Sequence, residues 1–375
     1  MKVVCGGILL LAVAMGIGRF AYTPMLTSMQ QSLGWSSSEA GIIAMSNYLG
    51  YFVGALLLSF LVISRKKAIL IIALLVNVLT TFMMGFCNEF VLFCVIRLIS
   101  GVSSAFTFIL SSQIVLSYIT RLQKSSWSGI LYSGVGLGIV ISSLILMLFS
   151  DLLNWRSMWK TLGYVSAVLS ILGILFMQHT SEEKINTTRS STHKKPIHWL
   201  IFAYSLEGLG YIITGTFIVA IAQEIPTLQW NATIIWLIVG ITAIPSCWLW
   251  VRLAEKYRYP QILAIALFVQ AFGIVMPAVV ATKVGFLISA ILFGLTFMGI
   301  TTLANAIGRK HDAQSLSRLT AGYALGQMLG PIIAGKLLDQ LHFSAAFIFA
   351  ASCIVLACCI VTVYIYKEGK MIYDV

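Results

Sequence analysis

The sequence predicts an all-α integral membrane protein: twelve transmembrane helices in two pseudo-symmetric six-helix bundles. Three observations carry that prediction. The chain is 59% hydrophobic and only 10% charged over 375 residues, where a soluble domain carries roughly 25% charged residues. Mean hydropathy is +0.96. Twelve apolar stretches of about 20 residues follow one another, each long enough to cross a bilayer. The basic residues then sort to one side of those stretches. A soluble enzyme or a nucleic-acid-binding protein does not fit this composition, because too little polar surface is available to face water.

The expected spans are 3–28, 40–63, 68–87, 90–118, 127–149, 157–177, 198–222, 231–251, 261–281, 284–307, 318–338 and 343–366. The first opens after Lys2 and holds Arg19 inside an apolar run too long for a signal peptide and without a clear cleavage site, so it is expected to stay. Ser36-x-x-Glu39 forms a capping box ahead of the second. Arg65, Lys66 and Lys67 precede the third, and Arg97 lies inside the fourth. Trp127 introduces the fifth, with Gly134 and Gly138 along it, and Trp155 and Trp159 flank the start of the sixth. A polar, Ser- and Thr-rich stretch, 179–197, then reads as a cytoplasmic linker between an N-terminal bundle (1–178) and a C-terminal bundle (198–375). Trp199 opens the seventh span, which carries Glu207. Trp230 and Trp250 sit near the ends of the eighth, so that tryptophans border many spans as an interfacial belt would. Pro277 marks the ninth and Thr296 the tenth; Gly326, Gly330 and Pro331 mark the eleventh, and an uninterrupted apolar run forms the twelfth.

With Lys2 on the cytoplasmic side, cytoplasmic segments hold 18 Lys and Arg and the opposite segments hold 4. This is the positive-inside pattern, and it predicts a multi-pass protein with both termini in the cytoplasm. The net charge of +12 is thereby a topology signal and calls for no nucleic acid. Seven cysteines lie in or beside apolar spans without a CxxC pair, and the five histidines fall in loops or at span ends. Neither a metal site, a disulfide framework nor a cofactor is expected.

The two halves repeat at an offset near 192. Gly16-Ile17-Gly18-Arg19 aligns with Gly208-Leu209-Gly210-Tyr211, and Gly134 and Gly138 align with Gly326 and Gly330. Trp35-Ser36 parallels Trp230-Asn231 at offset 195. Two related six-helix halves suggest transport by rocking about a site near the bilayer midplane.

On these residues the chain resembles the major facilitator superfamily (MFS) of transporters. Arg97-Leu98-Ile99-Ser100-Gly101 matches that superfamily's R-x-x-x-G pattern in the fourth span. Arg252-Leu253-Ala254-Glu255-Lys256 resembles its acidic-basic gating loop. The matching first-half loop keeps the basic residues Arg65 and Lys66 but has Leu61 where an acid is usual. The Gly-Pro motif often found in the fifth span of antiporters appears instead in the eleventh, so an antiporter assignment does not follow. GIGRFAYTPML (16–26) and SNYLGYFVGAL (46–56) are similar to the bacterial YbfB/YjiJ-type subfamily. The resemblance implies a monomer in the bacterial cytoplasmic membrane, and a central cavity lined by spans 1, 4, 7 and 10.

Three ionisable residues fall deep in spans: Arg19, Arg97 and Glu207. Each costs about 2.5–3.5 kcal/mol at a helix centre on insertion scales, and such groups normally face a cavity or a partner. The two arginines sit at similar heights, and Glu207 aligns with Met15, one helical turn below Arg19. The resemblance places all three around the cavity. Arg19 and Arg97 would bind a small organic anion, because guanidinium recognises carboxylate or phosphate in a bidentate way. Tyr22, Tyr132 and Tyr211 would line the same site. Glu207 would be the proton-coupling group, its protonation weakening a pair with an arginine and shifting the balance between inward and outward opening; a permanent structural ion pair is the competing reading. The expected partners are thus a small-molecule substrate, H+ and membrane lipid. Drug efflux and a membrane sensor without transport stay open as alternatives; an intramembrane enzyme lacks a nucleophile or metal constellation, with neither HExxH nor GxSxG present.

Overall fold

The computed structural model describes residues 1–61, 65–122, 127–178, 197–226, 228, 232–311 and 313–373; the side chains at 128, 309–317 and 368–373 are not described. The expected linker lies, but for Ile197, outside these residues, as do Ser64, Trp230 and Asn231. Among the described residues the chain is helical, without strands.

Twelve helices follow in chain order. In the first half these are α1 (Lys2–Leu33), α2 (Ser37–Phe60), α3 (Lys66–Phe86), α4 (Phe90–Arg121), α5 (Gly129–Phe149) and α6 (Trp155–Phe176). In the second they are α7 (His198–Gln223), α8 (Thr233–Lys256), α9 (Tyr259–Val279), α10 (Lys283–His311), α11 (Ala313–Gln340) and α12 (Phe343–Tyr373). Among the described residues, eleven are long and apolar enough to cross a membrane. The exception, α11, has the length but more polar side chains, and it packs against both α2 and α7. The capping box is present at α2: Glu39 N–H donates to Ser36 Oγ, and Ser36 N–H donates to Glu39 Oε2 at 2.9 Å.

The first helix is not regular. Residues Ala12–Ile17 adopt π-helical bonding, with Gly18 N–H reaching Val13 O and Phe20 N–H reaching Met15 O. A turn over 18–21 follows, and helix resumes at Tyr22 with Pro24 in its first turn, where a missing N–H costs least. π-bulges leave carbonyls without their usual helical donors. Here α4 supplies them, one helical face at a time. Arg97 Nη1 donates to Gly18 O at 2.9 Å, Arg97 Nη2 to Arg19 O at 3.3 Å, and Ser104 Oγ to Ala14 O at 2.8 Å.

The repeat has a geometric counterpart. Glycines let α5 approach α1, and α11 approach α7, at matching levels. A Cβ on Gly138 would collide with the backbone of Ala12 and Gly16; one on Gly326 would collide with Ser205 O and the backbone of Leu209. The halves meet through α2 against α11, α5 against α8 and the second part of α1 against α7. Thr23 Oγ1 donates to Gly215 O, a pair 192 residues apart. Positions equated by the repeat touch each other, as residues on a pseudo-twofold axis do.

Candidate functional site: a cavity between the halves

A cavity of about 420 Å³ lies between the two bundles, bordered by Met15 and Arg19 of α1, Tyr51 of α2, Gln113 of α4, Tyr132 of α5, Tyr204 and Tyr211 of α7, Asn305 of α10, and Tyr323 and Gln327 of α11. Its lining extends to Ser59, Leu116 and Thr320, near the helix ends that carry Arg65, Arg121 and Arg318. Toward the opposite ends the halves are in contact. Ser37 N–H and Ser38 N–H each donate to the Asp339 carboxylate at 2.9 Å, and Tyr48 Oη lies 3.3 Å from Thr216 Oγ1. The cavity is therefore closed at one end and reaches toward the basic end of the bundle.

Arg19 follows directly on the π-bulge, which turns its side chain to the cavity wall. It is 2% exposed. The guanidinium lies over the rings of Tyr48 and Tyr51, at 4.6 and 4.7 Å from their centroids. Its Nε and Nη2 are buried without a hydrogen-bond partner. Ring faces hold the plane while the side-on edge, the one that forks onto a carboxylate, stays unsatisfied.

Arg97 does not line the cavity. Its Nη1 and Nη2 donate to the carbonyls of Gly18 and Arg19, its Nε is buried without a partner, and its guanidinium lies 4.8 Å from the Tyr22 ring centroid. Asn47 Nδ2 donates to Arg97 O at 3.0 Å, so α2 braces the same point. Tyr22 is likewise off the cavity, its hydroxyl donating to Ala40 O at 3.0 Å. The contact between Arg97 and the Arg19 carbonyl agrees with the equal heights expected of the two arginines.

Glu207 is also off the cavity, fully buried, and neither carboxylate oxygen has a hydrogen-bond partner. The neighbour that its carboxyl faces is Gln270 of α9, and Tyr204, Tyr211 and Tyr323 lie within electrostatic range. The geometry thus departs from the expectation that all three charges surround one cavity. The turn that follows the π-helical residues leaves the Gly18 and Arg19 carbonyls to Arg97, and Glu207 faces Gln270 of α9 within the C-terminal half. No ion pair joins Glu207 to either arginine among the described residues.

Tyr132 and Tyr211 do line the cavity. Tyr132 lies against Phe108 at 5.8 Å between centroids, and Gln327 Nε2 donates to Tyr211 Oη. The gating-loop residues sit at the basic end, where Arg65, Arg252, Glu255 and Lys256 are exposed and Lys66 is half-buried. Arg252 leans on the Trp248 ring.

Several residues were not singled out by sequence reasoning. Tyr204, Tyr323 and Phe297 join Tyr211 and Phe293 in a run of near-parallel rings, and Gln270 faces Glu207. A signal was available in α7. Tyr204, Gly208 and Tyr211 recur at i, i+4 and i+7, one helical face. Gln113 also borders the cavity. Asn77 does bond between helices, donating to Ser103 Oγ and Ser104 Oγ at 3.2 and 2.9 Å.

A family model described as "Uncharacterised MFS-type transporter YbfB" matches residues 11–362. The chain belongs to this family of MFS-type transporters. A curated relative, the uncharacterized MFS-type transporter YybF of Bacillus subtilis (strain 168), is 24% identical over 298 residues, covering 74% of this chain and 72% of that protein. Among solved structures, the nucleoside transporter NupG superposes with a TM-score of 0.71 at 14% identity, over 96% of this chain and 98% of its own. A bacterial homologue of the human lysosomal transporter Spinster, inward-facing and occupied, gives 0.70 at 14% identity, over 96% of each chain. At these identities the likeness is one of fold. The MFS fold accounts for the twelve helices, the two related halves and the cavity between them.

Proposed function

We propose that this MFS-type protein is a secondary active transporter that moves a small carboxylate-bearing solute across the bacterial cytoplasmic membrane by alternating access, coupled to protons. The observation that carries the reading is Arg19: a guanidinium at membrane depth, on the wall of the cavity between the halves, with two donors unpaired. A buried polar group without a partner costs free energy, and that cost is offset when an anion arrives. Positive charge at this point also disfavours a lipophilic cation, the cargo that drug efflux would require.

The cavity reaches the ends rich in Lys and Arg, so under the positive-inside rule it opens to the cytoplasm, as do both termini. The contacts at Asp339 then close the outer face. Arg97 acts as a positioning residue, holding the backbone from which Arg19 projects. Glu207 carries the coupling proton: an ionised carboxylate without a hydrogen bond is expensive at membrane depth, and the Gln270 amide facing it can follow a change of protonation by exchanging donor for acceptor.

Purified protein in proteoliposomes tests this. Under an imposed pH gradient the wild type accumulates a carboxylate, and Glu207→Gln loses the accumulation while retaining exchange of carboxylate for carboxylate. Accumulation by Glu207→Gln with an unchanged pH profile would exclude the coupling role. Binding without any flux in the wild type would favour a sensor.

A further inference from the structure

The C-terminal wall of the cavity is built from aromatic rings in register. Tyr204 and Tyr323 have centroids 4.2 Å apart and planes 11° from parallel. Tyr323 and Tyr211 follow at 5.6 Å and 5°, and Tyr211 and Phe297 at 6.2 Å and 11°. Phe293 extends the run beyond Phe297 at 5.3 Å and 8°. Free aromatic pairs in protein interiors commonly meet edge to face. Four successive near-parallel contacts need a cause, and Gly208 supplies it. It lies on the face of α7 between Tyr204 and Tyr211, and a Cβ there would collide with the Tyr323 backbone carbonyl and ring. The gap left by that missing side chain is one ring thick, and Tyr323 from α11 occupies it.

Four of these rings, Tyr204, Tyr211, Tyr323 and Phe297, border the cavity, and Tyr323 is half-buried while its neighbours are buried. Arg19 of α1 borders the same cavity from the N-terminal half. Because each ring of the run covers the face of the next, the cavity meets a row of aromatic edges on one side and an unsatisfied guanidinium edge on the other. Its volume is in the range of pockets that hold drug-sized molecules.

We infer that the substrate is a planar aromatic carboxylate, the face of its ring laid against the edges of Tyr204, Tyr323 and Tyr211, an edge-to-face contact, and its carboxylate on Arg19. The inference rests on the anion reading given above and adds the shape and π-character of the cargo. Tyr323 is the specificity-determining residue, since it is the most open ring of the run and its edge is the one a ligand meets.

Three ligands of near-equal size separate the two parts of the claim: 2-naphthoate, its saturated counterpart decahydronaphthalene-2-carboxylate, and the neutral 2-naphthamide. Dissociation constants for the purified full-length protein are measured by thermal-shift titration or calorimetry. 2-Naphthoate is expected to bind about fivefold more tightly than the saturated acid, about 1 kcal/mol, the size of one ring–ring contact. It is expected to exceed the amide by tenfold or more. Tyr323→Leu should abolish the preference for the aromatic acid while retaining the saturated one, and Tyr323→Phe should restore it. Equal affinity for both acids overturns the aromatic inference and leaves the anion reading intact. Equal affinity for acid and amide, with the saturated acid weaker, overturns the anion reading itself. Failure of all three to bind overturns both. The wild-type series decides the matter even if the Leu variant does not fold.

Discussion

Arg19 and Arg97 show how one residue type takes two roles at one depth. The difference lies in what the neighbouring backbone offers. A π-bulge releases carbonyls, and Arg97 answers them; Arg19 follows the bulge on the same strand of chain and is left with ring faces alone. Replacing Arg97 by Leu removes two charge-assisted hydrogen bonds, each worth about 1.5–3 kcal/mol. Thermal unfolding in detergent should therefore fall by several degrees, and anion affinity should fall with it because Arg19 loses its footing. Arg19→Gln should leave thermal stability near that of the wild type but abolish carboxylate binding. Arg19→Lys should not restore it, since an ammonium lacks the planar fork. The sequence marked all three intramembrane charges as the place to look, because charge is rare in a chain with 10% charged residues. It did not reveal which of them faces the cavity. That depends on a helical irregularity with no signature in composition, and on the rotation of α7, which apolar periodicity leaves open in a helix so largely buried.

At the scale of elements, close helix approach and one outer contact set the conformation. Gly138 admits α5 against the π-bulge of α1, so Gly138→Val is expected to push the helices apart and lower expression of folded protein, measurable as loss of the monodisperse peak in size-exclusion chromatography. The glycine spacing was legible beforehand as a repeat. The outer contact was not, because Asp339 reads as an ordinary residue at a span end. It accepts from the first free N–H groups of α2, where a helix N-terminus favours negative charge. Burial opposes its charge, and the hydrogen bonds from Ser38 and Ser37 more than offset that, so the carboxyl is held below its usual range. A carboxyl lowered in this way stabilises the contact at every pH above its ordinary value and ceases to do so as pH falls through the lowered one. The outer closure should hold at neutral pH and weaken only in strong acid. Asp339→Asn should shift the protein toward outward opening at all pH values. Labelling of a cysteine placed at Ser38 by a membrane-impermeant thiol reagent should become faster in that variant; an unchanged rate would exclude the latch.

The whole molecule follows from physics visible in the chain: long apolar stretches, basic residues on one side and a repeat that returns in space as the Thr23–Gly215 contact. The eleventh helix is instructive. It is expected as a span, and it is more polar than the others because much of its surface faces α2, α7 and the cavity, while Leu325 and Leu329 stay exposed. The cavity itself could be anticipated from the resemblance alone, whereas its aromatic wall required knowing which faces of α7 and α11 meet. The central claim is that Arg19 receives a carboxylate in this cavity and that the protein carries it across. Counterflow in proteoliposomes preloaded with unlabelled carboxylate measures this without reference to the coupling ion. Labelled 2-naphthoate should accumulate transiently with the wild type and show no accumulation above protein-free vesicles with Arg19→Gln. Equal counterflow by the two proteins would contradict the account.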